Sequence, residues 1–364
     1  MYLIRLSFSK MSCTLHIFNP WHDEALSANS PYYYPSTIAR QLEKDWYMLP
    51  SFWAANGDAV YCPDESFLKS RGAEVCVHGK QLQLVGGKNI GSGFWKTISC
   101  IAPWGWDALL KHRLLKMGAP EMLLPTDNQL QITRSLSSRE TTTAVLPQIK
   151  EMLSCQQYLP LVGQSFVAHN MEEVTNLVSN YKNVMIKSLW SCSGRGVCRL
   201  GENPNQSDEG RVRKLLRLHQ GVEVEPLYDS VLDFALEFDA LLMGEVKYRG
   251  LSLFRTTEGG GYVANVVQPQ EVLQEHVFTV CPLLRNVFTL LCKVCEEVLA
   301  SVICKRYVGA LGIDMMLVRQ LDGTMALHPC IEVNLRKTMG YVACMLAEQQ
   351  IECWEGKYPF CKTF

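Results

Sequence analysis

Short apolar runs alternate with helix-length amphipathic stretches along the first third of the chain. Residues 14–18 read as a strand, followed by the turn-prone pair Asn19 and Pro20. Ser36 is placed to cap a helix on which Ile38, Leu42, Trp46 and Leu49 recur at helical spacing and predict its buried face. Residues 58–61 and 74–77 predict further short strands, and 106–117 a helix that stops near Gly118. This rhythm predicts a small α/β domain with a parallel sheet over residues 1–133.

The polar stretch 133–143 marks a junction, and the pattern changes after it. A helix over 141–153 precedes strands at 165–168, 184–187, 196–200 and 222–225, with helices at 171–181 and along a basic segment between the last two strands. Residues 134–225 are expected to form a central subdomain, and 226–364 a C-terminal one. The latter holds strands over 232–242 and 244–253, one long helix and a final hairpin within 313–335. The chain shows no internal repeat and no low-complexity tract.

Composition narrows the picture. Hydrophobic residues make up 48% and charged residues 20% of 364, which is ordinary for a soluble globular protein. Lys and Arg total 35 against 36 for Asp and Glu, so no global field favours nucleic acid or an anionic membrane, and neither is expected as a partner. The basic run Arg211, Arg213, Lys214 and Arg217 alternates with leucines and reads as a solvated helix face. The N-terminus lacks an export signal, no apolar stretch reaches membrane-spanning length, and Met11 is an alternative start to Met1. The 15 cysteines are therefore expected to be reduced thiols in a cytoplasmic protein. Cys292 and Cys295 lie on the long helix, without a second ligand pair or the strand-to-helix setting of a redox motif. They are expected to behave as core residues.

Two constellations bear chemistry. Lys187 ends an apolar strand and is followed by Ser191, Ser193, Gly194, Arg195 and Gly196. Such a loop can turn backbone N–H groups toward phosphate oxygens while the lysine adds an ammonium. It is not a P-loop, because the Gly-Lys-Ser/Thr order is missing and a strand rather than a helix follows.

The second constellation is Asp314, Glu332 and Asn334, on strands joined across Leu321, Asp322 and Gly323. Mg2+ takes carboxylate and amide oxygens and shares its other positions with phosphates and water. Glu332 and Asn334 share a face because they are two apart on a strand. Asp314 joins them if the loop is three residues long with Gly323 left-handed, a register that sets Asp314 opposite Cys330. Acidic and amide side chains in so apolar a run imply a partner cation.

Together these segments resemble the ATP-grasp superfamily over roughly residues 134–345. The resemblance implies an α/β (α+β) fold: an N-terminal parallel-sheet domain, a central lid subdomain, and a C-terminal antiparallel-sheet subdomain that holds the metal. Lys187 to Gly196 looks like the family's first ATP-binding strand and glycine loop, although Leu189, Trp190 and Cys192 make it poorer in glycine. Glu225 matches the hinge glutamate at the adenine, and Asp233 the ribose-binding acid. Asp314, Glu332 and Asn334 match the magnesium ligands. Arg336 fits the arginine of a Glu-x-Asn-x-Arg pattern, and Arg139 stands where many members have a phosphate-reaching lysine.

The resemblance implies ATP and Mg2+, with Mn2+ as an alternative ion, and small-molecule substrates. The expected reaction is ADP-forming ligation of a carboxylate to an amine or thiol, with Lys187 and Arg336 as catalytic residues. Alternatives are a small-molecule phosphotransferase of the same fold and a nucleotide binder without turnover. Arg249, Arg255 and His22 are the substrate-facing candidates, with Asp23 and Asn265 beside them, next to the glycine-rich stretch 258–261. Assembly into an oligomer is compatible with the sequence.

Overall fold

The computed structural model describes residues 13–363 apart from 65, 67, 69–73, 88–89, 155–158, 192–195, 258–260, 304 and 352–357. Met11, Cys192, Ser193, Gly194, Arg195 and most of the 258–261 stretch lie outside the described residues. The chain forms two compact units. The first takes residues up to His22 together with Pro31–Thr126, and the second takes Asp23–Ser30 and everything from Asp127 onward. The helix Asp127–Leu136 thus belongs to the second unit, and the segments 134–225 and 226–364 lie in one unit.

In the first unit, β1 (Cys13–Ile17) pairs in parallel with β2 (Ala59–Tyr61) and β5 (Ile98–Pro103). β4 (Lys80–Val85) adds in parallel to β2, and β3 (Glu74–Val77) closes the edge as an antiparallel hairpin with β4. The two-residue turn at His78 and Gly79 has positive φ at both positions, 52° and 72°, the backbone twist that suits such hairpins. Ser36 does cap the helix Thr37–Trp46, its side chain accepting from the Ala39 amide. Its buried residues, however, are Ala39 and Glu43, while Ile38 is 60% exposed. Leu42 and Trp46 are half-buried and Leu49 is buried just past the helix, so of the expected face only Ile38 is turned out. Burial pushes the Glu43 carboxyl up to about 7, against the opposing pull of Arg113 at 3.8 Å.

The second unit holds two sheets. The first is antiparallel, in the order β6 (Phe166–Ala168), β9 (Val222–Pro226), β7 (Asn183–Ser188), β8 (Val197–Gly201). Val184, Ile186, Val222 and Val224 bury one face of it against the helices Met171–Tyr181 and Gln206–His219.

The second sheet runs β14 (Met325–Asn334), β13 (Gly309–Arg319), β10 (Ser230–Ala240), β11 (Val246–Thr256), β12 (Tyr262–Val266), β15 (Phe360–Cys361). All its pairings are antiparallel except β12 with β15. Its apolar face packs on the helices Glu140–Ser154, Gln270–Val280 and Pro282–Ile303 in the largest core. The last helix contributes ten buried side chains, the larger ones worth about 1.5–3 kcal/mol each on burial. Cys292 and Cys295 are among them, and burial pushes the Cys292 thiol up to about 12 and Cys295 well above its ordinary value. Both are inert core thiols.

Candidate functional site

The period of β9 sorts its side chains. Val222 and Val224 enter the core, so Glu223 and Glu225 both emerge on the opposite face. Lys187 lies directly across from Glu223 in the antiparallel β7–β9 register, one diagonal step from Glu225. Its Nζ stands 2.5 Å from Glu225 Oε2 and 3.8 Å from Glu223 Oε2. All three are buried. Burial alone would lower the Lys187 ammonium, but the Glu225 and Glu223 charges outweigh it and hold the group above its ordinary value.

Arg139 joins this cluster just ahead of the helix Glu140–Ser154. Its backbone N–H donates to Leu189 O at 3.0 Å, and its Nη1 donates to Ser188 O at 2.6 Å and Ser191 Oγ at 2.8 Å. Nη2 donates to both carboxylate oxygens of Glu332, each at 2.8 Å, while Nε stands 3.5 Å from Glu223 Oε2. The glycine loop closes through Ser188 N–H to Gly196 O at 2.8 Å. Gly196 has φ +70°, and a Cβ there would come within 2.4 Å of Ser188 Oγ, so the position demands glycine.

Asp314, Glu332 and Asn334 do lie on one face, while Ile313, Val333 and Leu335 enter the core. The turn is the expected one: Gln320 N–H donates to Thr324 O across three residues, and Gly323 has φ +85°. The register near the turn also agrees, with Met316 opposite His328. A shift then falls between Asp314 and Met316, across from Pro329, which has no N–H to give the ladder. Asp314 therefore sits opposite Glu332 rather than Cys330. A shift of two residues preserves the face, so the register needs correction but the grouping stands. Asn334 Nδ2 donates to Asp314 Oδ2 at 3.3 Å. Burial and the neighbouring Glu332 charge push the Asp314 carboxyl up to about 7.

Around this core, Asp233 accepts from Ser230 Oγ at 2.8 Å and Thr256 Oγ1 at 3.2 Å. Arg336 Nε stands 3.1 and 3.0 Å from the two oxygens of Asp23. Other candidates are not brought here. Arg249 pairs with Glu348 and faces the Tyr341 ring, and Arg255 lies on the exposed end of β11 opposite Ala264. Asn265 is buried, accepting from Tyr262 Oη and donating to Leu253 O. His22 is 1% exposed in the first unit, its Nδ1 3.3 Å from Asp107, and a Cβ on Gly105 would meet its ring at 2.5 Å. Enclosed in this way, His22 presents almost no surface to a ligand.

The sequence reading named Glu225 but passed over Glu223, although their two-residue spacing was the signal that both share a face. It also missed Glu237 on β10. This acid is 1% exposed and accepts from Ser252 Oγ at 3.0 Å and Thr338 Oγ1 at 2.9 Å. Burial pushes its carboxyl up to about 8. A folded pKa above the unfolded value means that the folded state holds the extra proton between about pH 5 and 8, so stability falls as pH rises through that window. Glu237→Gln is expected to flatten this dependence and to exceed the wild type at pH 8 by a few kcal/mol. Chemical denaturation of both proteins at pH 5, 6.5 and 8 measures it, and parallel curves would contradict the proton assignment.

Among the described residues, no group of three or more His, Cys, Asp and Glu is gathered closely enough to hold a metal, so the candidate set is two carboxylates and one carboxamide. No described helix is long and apolar enough to cross a membrane.

The mixed sheet of the first unit and the two sheets of the second give an α/β architecture of parallel and antiparallel sheets, as the sequence predicts. No family model and no curated protein sequence matches the chain. Solved structures do align with it in fold. N5-carboxyaminoimidazole synthetase from Staphylococcus aureus, complexed with ADP, is 11% identical, with 91% of this chain and 73% of that one covered and a TM-score of 0.44. The biotin carboxylase domain of the Hydrogenobacter thermophilus 2-oxoglutarate carboxylase, with MgADP, ADP and bicarbonate, is 10% identical, covering 94% and 70% with a TM-score of 0.49. D-cycloserine synthetase is 11% identical, covering 92% and 99% with a TM-score of 0.44.

Proposed function

We propose that this protein is an ATP-grasp enzyme that binds ATP with Mg2+, or Mn2+ in its place, and activates a carboxylate for ligation to an amine or thiol. The observation that supports this most is a charge count. Fully ionised, Arg139 and Lys187 supply two positive charges against four negative ones from Glu223, Glu225, Glu332 and Asp314, an excess of −2 that burial and mutual repulsion oppose by pushing Glu223 up to about 8 and Asp314 up to about 7. Arg336 and Asp23 balance each other beside it, and Glu237 is held neutral. A divalent cation with oxygen preference fits that deficit and that donor set. The raised Asp314 pKa is the same deficit, met by a proton.

In this reading Asp314, Glu332 and Asn334 would hold the cation, which would supply positive charge to neutralise the phosphates. Lys187 and Arg139 contact the phosphates. Arg139 must then exchange Glu332 for phosphate, and Arg336 must turn from Asp23 to grip the acyl phosphate in a forked contact. Glu225 and the neighbouring backbone face the adenine, and Asp233 the ribose. Ser191, Gly196 and the loop between them, including Ser193, Gly194 and Arg195, close over the nucleotide and exclude water. Arg249 and Arg255 remain the candidates for an anionic substrate group.

A substrate carboxylate oxygen attacks the γ-phosphorus, the bond to the bridging oxygen breaks, and ADP leaves. An amine or thiol then attacks the acyl carbon, releasing phosphate and a proton. The described cysteines are all free thiols, which suits a cytoplasmic setting.

The test is product analysis with ATP, Mg2+ and a panel of carboxylates, each offered amines and thiols. Ligation yields ADP and free phosphate only when acid and nucleophile are both present. Phosphate retained on a small molecule would make the protein a phosphotransferase, and no ATP consumption across the panel would contradict the enzymatic reading.

A further inference from the structure

Glu223 is a buried acid to which neither the sequence resemblance nor the proposed chemistry gives a part. It is 0% exposed and placed between both cations of the site. Its Oε1 accepts from Ser165 Oγ at 2.7 Å, which fixes the carboxylate from below. Its Oε2 points between Lys187 Nζ at 3.8 Å and Arg139 Nε at 3.5 Å. Neither Glu223 Oε2 nor Arg139 Nε has a hydrogen bond, although both atoms are fully buried. Two facing buried polar atoms left just short of a hydrogen bond are costly, and burial with the neighbouring Glu225 charge pushes the Glu223 carboxyl up to about 8. The guanidinium is held where it stands by Nη2 on both oxygens of Glu332 and by Nη1 on Ser188 O and Ser191 Oγ.

We infer that Glu223 is a positioning residue: it receives Arg139 when a divalent cation takes Glu332, and so sets the cation affinity of the site. The inference rests on the ATP-grasp reading of this cluster. Two effects of Glu223 act in the same direction. When ionised it adds to the negative charge that draws a divalent ion, and its free oxygen offers the guanidinium a second carboxylate, so that releasing Glu332 does not strand a buried cation. Without it, Arg139 has Glu332 as its nearest carboxylate and competes with the metal for it. Carboxylates one step behind the ligands commonly tune metal affinity in this way.

The test uses Glu223→Gln and Ser165→Ala in the full chain, with ADP binding followed calorimetrically at a series of Mg2+ concentrations and in chelator. Glu223→Gln is expected to raise the Mg2+ concentration for half-maximal enhancement about tenfold. In chelator it is expected to bind ADP as tightly as the wild type or tighter, because the cluster then holds one fewer acid to repel the phosphates. Ser165→Ala, which only loosens Glu223, should shift the Mg2+ requirement in the same direction by less. A merely structural role would weaken ADP binding with and without Mg2+, and that result would overturn the inference, as would an unchanged Mg2+ requirement in Glu223→Gln. If Glu223→Gln does not fold, Ser165→Ala decides by the same criteria. Wild-type protein that binds no ADP at all would remove the nucleotide reading and the inference with it, an outcome distinct from normal wild-type binding with indifferent variants.

Discussion

Glu332→Gln is expected to lower ATP-dependent ADP release on the order of 100-fold or more while leaving the fold intact. Both halves of that expectation come from the position of the side chain. Glu332 faces Asp314 across the β13–β14 ladder and supplies one of the site's unbalanced negative charges. An amide keeps the shape but halves the net charge and makes a poor ligand for a hard cation. The side chain is 24% exposed, and its removal as a charge leaves Arg139 beside Glu223, so no bare buried ion results. The stability change should therefore stay within about 1 kcal/mol. A coupled ADP assay with thermal unfolding on the same samples reads both quantities. Turnover within a few-fold of the wild type would remove Glu332 from the cation site.

The parts of this site that could be read from sequence are those governed by strand parity and turn chemistry. The left-handed glycine at 323 fixed the three-residue loop, and with it the face of Asp314, from the residue types alone. The exact partner could not be read, because it depends on how the ladder adjusts around Pro329. Strands β4 and β5 escaped notice for a different reason. Lys80–Val85 does alternate, burying Leu82 and Leu84, but it is short and polar between them, and Ile98–Pro103 has no clear alternation, so pairing in the sheet is what marks both as strands.

The pairing of charges was the least accessible part. The family resemblance placed Arg139 and Arg336 near the nucleotide, and both lie in the second unit near the acids. Yet each rests on a carboxylate, Glu332 and Asp23 respectively, far removed along the chain. No local rule connects residues 139 and 332, or 23 and 336. Only the fold brings them together, and only the cost of leaving a charge bare in a buried cluster makes such pairing expected once it has. His22 shows the same limit from the other side. A histidine after a strand invites a ligand-binding reading, but Gly105 and Asp107 enclose it from more than eighty residues away.

Lys187→Ala is expected both to abolish ATP turnover and to destabilise the protein, and the two losses can be separated. The substitution leaves Glu223 and Glu225 on one buried face, with Arg139 near the first of them and the ammonium gone from both. Breaking a buried pair by removing one partner costs about 3–5 kcal/mol. The buried acids then favour the protonated form, so their folded pKa lies above the unfolded one, and the destabilisation grows with rising pH and shrinks toward pH 5. Lys187→Met combined with Glu225→Gln removes both charges of the close pair and is expected to recover stability to within about 1 kcal/mol of the wild type. Turnover should stay lost in the double variant, since no ammonium is left to meet the phosphates. Denaturant unfolding at pH 5.5 and 8 with ADP assays on all three proteins makes the comparison. Recovery of turnover together with stability would mean that Lys187 serves only to neutralise Glu225 and never touches the nucleotide.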